Sequence, residues 1–154
     1  MLKAATISEC GKYRYRLSRS GLGGTGRVCW IMLNPSTADA EVDDPTIRRC
    51  IGFTKRLGHD EMVVVNLFAF RATDPCRLLE ADDPVGPENA RYVREAIDSS
   101  TVVIAGWGVV PKKIRGRSLF FRNWKEIWCL GKTADGSPRH PLYLRSDAPL
   151  VAYP

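Results

Sequence analysis

No apolar run in this chain approaches the roughly 18 residues needed to cross a membrane, and Met1 to Cys10 lacks the hydrophobic stretch of a secretion signal. We expect a cytoplasmic protein without a membrane partner. Histidine is scarce, with two in the whole chain, which excludes a histidine-rich metal site. The five cysteines, Cys10, Cys29, Cys50, Cys76 and Cys129, are odd in number and lack CxxC spacing, so neither a disulfide framework nor a zinc knuckle is signalled. Cys29, Cys50 and Cys129 fall in apolar or helical segments and read as small core residues. The chain is also too short for two full cores. At 154 residues it reads as one α/β domain, 1–154, able to bury about 68 to 70% of its unfolded surface. It does carry an excess of positive charge, 23 Lys and Arg against 17 Asp and Glu, which favours an anionic partner such as a nucleic acid or nucleotide.

The stretch Val28 to Arg49 organises the rest. Val28 to Leu33 is an apolar run that ends on Asn34 and Pro35, and a polar segment with short carboxylates follows, up to Asp44. This predicts a buried strand, a loop at its carboxyl end, and a helix starting at Pro45 with Asp44 as cap. Ile47, Cys50, Ile51, Thr54 and Leu57 give that helix one apolar face, and Gly58 stops it. Met62 to Val65 repeats the pattern as a strand ending on Asn66, with Arg71, Thr73, Asp74 and Pro75 breaking it further on. Strand, helix, strand is the signature of a parallel pair. After a polar loop over Leu78 to Gly86, a second helix runs to about Asp98, and Thr101 to Ala105 is a third parallel strand. In an open α/β sheet a ligand binds outside the carboxyl ends of the strands, which places Asn34 to Asp44 and Asn66 in the expected crevice.

The flanks carry less pattern. Lys12 to Ser18 alternates as a strand, and with SGLGGTG as its turn it predicts an antiparallel pair with the first central strand. The same glycines allow a second reading, a loop around a phosphate, although the Lys-Ser/Thr ending is missing. Gly106, Trp107 and Gly108 follow the third strand directly; they either let the chain pass close to a planar ligand or seat a tryptophan in a tight turn. Lys112, Lys113, Arg115 and Arg117 form the densest basic run, a nucleic-acid contact or a solvated loop. Leu119 to Leu130 reads as a third helix with Leu119, Phe120, Ile127 and Trp128 inward. Prolines at 138 and 141 hold Arg139 and His140 extended ahead of a short strand at Leu142 to Leu144.

These motifs carry a resemblance. MLNPSTAD (32–39), DDPTIRR (43–49), VVNLFAFRATDP (64–75), AGWG (105–108) and GSPRHPLYL (136–144) closely resemble a bacterial family catalogued as a domain of unknown function, number 1643, over about Lys12 to Tyr143. The order of pieces is also similar to the uracil-DNA glycosylase superfamily: a first strand ending in an Asn-Pro loop, a second ending near an asparagine, and a late His-Pro segment. That second resemblance implies a three-layer α/β/α fold with a short central, mostly parallel four-stranded sheet and an antiparallel N-terminal hairpin. It also implies that Asn34 positions a hydrolytic water and that His140 stabilises the departing base. The sequence departs from those enzymes at Met32 and Ser36, where they have glycine, and at Leu142, where they usually have serine.

Hydrolysis of an N-glycosidic bond needs a held water, support for a cation-like sugar, and hydrogen bonds to charge growing on the base. Asn34 is assigned the water and His140 the base, with Asp39, Asp43 and Asp44 as carboxylates for the sugar or as general base. Pro35, Ser36 and Thr37 are placed beside the substrate, Phe68 or Trp107 stack on a base, Asn66 reads its edge, and Arg71 and Arg139 hold phosphates. The carboxylates Asp39, Glu41, Asp43 and Asp44 permit other readings, a Mg²⁺ site or helix caps and turns; no cofactor is otherwise signalled. Three function classes stand: a nucleobase- or nucleotide-directed hydrolase, a non-catalytic nucleic-acid or nucleotide binder, and a structural protein without a ligand site. The departures at Met32, Ser36 and Leu142 favour the second, and the polar strand ends oppose the third. Oligomeric state and the choice between DNA and RNA are left open by sequence.

Overall fold

Runs buried on both sides make the centre of a sheet, and here they do so in a computed structural model that describes residues 1–119 and 125–154. The strands are β1 (Leu2–Ile7), β2 (Arg14–Ser20), β3 (Arg27–Met32), β4 (Glu61–Asn66), β5 (Val102–Ala105), β6 (Ile127–Cys129) and β7 (Val151–Tyr153). The helices are α1 (Pro45–Arg56), α2 (Asn89–Asp98) and the single turn α3 (Lys112–Arg115), with 3₁₀ turns at Pro75–Glu80 and Pro141–Tyr143. All seven strands form one sheet in the order β1-β2-β4-β3-β5-β6-β7. β4, β3, β5 and β6 run parallel, while β1, β2 and β7 join antiparallel.

This corrects the four-stranded sheet that the glycosylase resemblance implied, and with it the fold expected on that ground. The α/β class stands, but the sheet is seven-stranded and mixed. β1 was not foreseen, and it pairs with β2, while β2 pairs on its other side with β4 and not with β3. The glycine-rich segment is therefore not the turn of a hairpin between β2 and β3. It runs beside the turn that leads into β4, with Leu22 N donating to Asp60 O (2.9 Å) and Thr25 N to Gly58 O (3.0 Å). Gly24 is required there, since a Cβ would lie 2.0 Å from Gly58 O.

Two faces follow from strand alternation. Val28, Trp30 and Met32 with Met62 and Val64 pack under α1, against Ile47, Cys50, Ile51 and Phe53. Cys29 and Ile31 with Val63 and Val65 pack on the other face, against Val93, Ala96 and Ile97 of α2. Trp30 Nε1 donates to Thr54 Oγ1 (3.0 Å), tying β3 to α1. Asp44 caps α1 as expected, accepting from Ile47 N at 2.9 Å. The three buried cysteines are Cys29, Cys50 and Cys129, as the sequence implied.

Two C-terminal elements differ from expectation. Ile127 to Cys129 is strand β6, not helix; pairing with β5 and β7 decides it, a contact between segments distant in sequence. Leu119 is outside any helix, and its N–H donates to Leu67 O (3.2 Å); Phe120 lies outside the described residues. Pro141 to Tyr143 is a 3₁₀ turn capped by His140, and the strand in this region comes later, at Val151–Tyr153.

Candidate functional site

Polar side chains from distant segments converge at the carboxyl ends of β3, β4 and β5, on the α1 face. They line a cleft of about 420 Å³, whose walls include Arg14, Asn34, Asp44, Asn66, Trp107 and His140. The loop after β3 is fixed to the loop after β4 by Asn34, whose Nδ2 donates to Ala72 O (2.7 Å) and Pro35 O (3.1 Å). Ser36 also lines the cleft, next to Thr73.

Among the described residues, Asn66 has both polar side-chain atoms, Oδ1 and Nδ2, buried without a hydrogen-bond partner, and the residue is 1% exposed. A buried amide left this way costs about 1–3 kcal/mol. The surrounding structure nevertheless holds it: Asn89 at the start of α2 donates Nδ2 to Asn66 O (2.8 Å), fixing the end of β4.

Arg14 was missed by the sequence reading, and the reason is geometric. Strict alternation along β2 puts residue 14 on the face opposite Leu17. An irregularity between β1 and β2, where Thr6 pairs with Arg16 and Ile7 with Arg14, slips the register by one residue. Such bulges re-aim side chains. Arg14 therefore turns under α1, 2% exposed, with Nη1 donating to Ala38 O (2.9 Å) and a buried Nε without a partner. Burial lowers its pKa to about 10, opposed chiefly by the charge of Asp44.

Asp44 and His140 complete the cleft's chemistry. One Asp44 carboxylate oxygen is engaged as the α1 cap, and the residue lines the cleft. His140 Nδ1 accepts from Leu142 N at 3.2 Å. Burial pulls the His140 pKa below its ordinary value, with Asp44 opposing, so at neutral pH the proton sits on Nε2, the nitrogen left to donate. The strap bearing His140 is clamped to α1: Arg49 donates to the carbonyls of Pro141 (Nε, 3.3 Å) and Leu144, and Arg56 to those of Ser146 and Ala148. Gly106 makes room for the strap, since a Cβ there would lie 3.0 Å from Met32 Sδ and 3.3 Å from Pro141 Cδ. The backbone that Gly106 and Gly108 admit is thus this strap, with Gly108 N donating to Pro138 O (2.9 Å). Trp107 lines the cleft and packs edge-on against Tyr153 at 5.4 Å.

Other expected residues lie elsewhere. Phe68 is fully buried in the α2-side core and presents no face to a ligand. Asp39 staples its own loop, accepting from Glu41 N and Val42 N, both at 2.8 Å, and these bonds lower its pKa. Asp43 pairs with Arg19 (2.8 Å) and Lys3 (3.1 Å). The carboxylates thus point to separate tasks, and no group of three or more metal-ligating side chains gathers among the described residues. Pro35 is buried and Thr37 exposed, and neither lines the cleft. Arg71 reaches Gly11 O (3.4 Å) and Arg139 reaches Lys132 O (3.2 Å), both off the cleft. Lys112 and Lys113 are exposed, but Arg115 donates to Val110 O (3.0 Å) and Arg117 to Ala81 O (3.1 Å) and Asp82 O (3.0 Å). An aromatic does stand at the cleft, in a place sequence did not suggest: Tyr143 is 82% exposed and its ring lies 5.6 Å from that of His140.

No helix among the described residues is long and apolar enough to cross a membrane. No curated protein and no solved structure matches the chain, so the likeness to uracil-DNA glycosylases gains nothing from comparison. The family model described as "Protein of unknown function (DUF1643)" matches residues 14–142, a span that contains every cleft residue named above except Tyr143, and the chain belongs to that family.

Proposed function

We propose that the cleft binds a nucleobase and that the protein hydrolyses the N-glycosidic bond of a nucleoside or nucleotide. The single observation that carries this reading is the Asn66 carboxamide, buried at the cleft with donor and acceptor both unpaired. An adjacent donor and acceptor match the edge of a base, as in bidentate recognition by asparagine. The volume of about 420 Å³ falls in the usual range for small-molecule sites, about 300–1,000 Å³. Trp107 in the cleft wall and Tyr143, exposed beside His140, offer the stacking surfaces that Phe68, buried in the core, does not.

In this reading Asp44 holds the attacking water and takes its proton. The water oxygen bonds to the anomeric carbon, the carbon–nitrogen bond breaks, and its electron pair leaves with the base. His140 Nε2–H donates to the base as that charge develops. A non-catalytic binder is the second reading. Two observations favour it: Asn34 Nδ2 is engaged by the carbonyls of Pro35 and Ala72, and Asp39 and Asp43 are committed to loop and ion-pair contacts.

Chromatographic detection of free base released from nucleosides, nucleoside monophosphates and uracil- or hypoxanthine-containing oligonucleotides tests the reaction, with binding measured in parallel. Release that is lost in Asp44→Asn while binding persists supports hydrolysis. Binding without release by the native chain supports the second reading, and absence of both removes the nucleobase assignment.

A further inference from the structure

The cleft holds a second buried polar group that the reaction above does not use. Arg14 stands on β2, the antiparallel neighbour of β4, and lines the same cleft as Asn66. Its backbone N–H bonds to Ala69 O (3.0 Å), three residues beyond Asn66. It is a cation taken almost wholly out of water, and a buried charge is stable only when opposed and hydrogen-bonded. The groups acting on it are Asp44, which opposes its charge, the like-charged Arg71 and Arg19, and the Cys50 thiol. Nε is left without a partner: the bond to the Ala38 carbonyl uses Nη1, and no ion pair within 4.0 Å joins Arg14 to Asp44 among the described residues.

Resting on the nucleobase reading, we infer that the ring taken by this cleft is an anion, held edge-on by Asn66 with its negative charge against Arg14. The two side chains stand on neighbouring strands and face the same space, so the group meeting Arg14 belongs to the ring that meets Asn66. That places the charge of an ionised oxopurine or oxopyrimidine on a guanidinium, where hydrogen bonds are short and strong. It also supplies hydrolysis with what the other residues lack. The departing ring carries the electron pair of the broken bond until it gains a proton, and His140 offers it one neutral donor while Arg14 offers a fixed positive charge.

Calorimetric titration of the native chain with xanthine, on either side of its ring ionisation, tests this without any variant. Hypoxanthine, which ionises at higher pH, controls for titration of the protein itself. We expect xanthine to bind at least about tenfold more tightly once ionised, with hypoxanthine unchanged over the same interval. In Arg14→Gln, checked for folding by its thermal transition, the gain disappears; Arg14→Lys retains part of it. Equal affinity for neutral and ionised xanthine overturns the inference and leaves the nucleobase reading standing, as does a gain that survives in folded Arg14→Gln. Failure of both rings to bind overturns the two together.

Discussion

Single residues in the cleft trade stability for readiness. Asn66 carries two unpaired polar atoms in a site 1% exposed, so replacing it with an apolar residue of similar size removes a standing cost. We expect Asn66→Leu to raise the unfolding free energy by about 1–3 kcal/mol and to abolish ligand binding. Denaturant unfolding decides the first half; a destabilised variant means that the carboxamide has a partner after all. His140 makes a complementary case in pH. Its pKa is lowered from the ordinary 6.5 by burial, so the unfolded chain binds the proton more tightly than the folded one. Stability associated with His140 is therefore intact above 6.5 and is lost as pH falls from there toward the folded value. His140→Gln should flatten that acid loss, and unfolding curves at several pH values measure it. An unchanged slope refutes the assigned environment. Activity that needs the neutral ring should likewise persist further into acid than an ordinary histidine permits.

At the scale of elements, α1 joins the fold to the cleft. Asp44 is both its cap, at 2.9 Å from Ile47 N, and part of the cleft wall, and two substitutions separate these tasks. Asparagine caps as well as aspartate, so Asp44→Asn keeps the cap while removing the proposed base and the charge that opposes Arg14. Asp44→Ala should cost about 1 kcal/mol in addition, from the lost cap. Equal stability of the two variants contradicts the capping role, and full activity in Asp44→Asn contradicts the chemical one. Asp44 was legible from sequence as a cap because Asp-Pro starts a helix by local chemistry. The rule for strand ends also put Asn34 to Asp44 in the crevice; which of its carboxylates lines the cleft was not legible, because that depends on where α1 lies over β4. The strap around His140 repeats the lesson: the prolines announced stiffness, but its attachment through Arg49 and Arg56 to carbonyls of Pro141 to Ala148 joins positions about ninety residues apart.

Across the whole molecule the excess of positive charge, 23 against 17, is partly turned inward. Arg14 and Arg19 are buried, and Arg115 and Arg117 bond protein carbonyls. Of the basic run that sequence offered to nucleic acid, Lys112 and Lys113 remain without such a bond among the described contacts. Two neutralised phosphates give a slope of log affinity against log salt of about −2. We expect Lys112→Gln with Lys113→Gln to reduce the measured slope for a short duplex by about that amount, and binding of a free base to be unaffected. A duplex slope that the double variant does not change shows that nucleic acid, where it binds, uses another face.

Sequence alone determined what depends on neighbours along the chain. The apolar runs of β3 and β4, the Asp-Pro start of α1, the polar strand ends and the buried cysteines all follow from residue chemistry within a few positions. It also marked Asn34, Asn66, Trp107 and His140, which the fold brings to one cleft. The tertiary structure decided the rest. Short strands β6 and β7 exist because distant backbone groups pair, and a one-residue slip against β1 turns Arg14 toward the cleft. The same packing seals Phe68 away and ties Asp39 and Asp43 into the loop. Whether a side chain faces a ligand or the core is set by register and packing, which are sums over contacts that no local pattern contains.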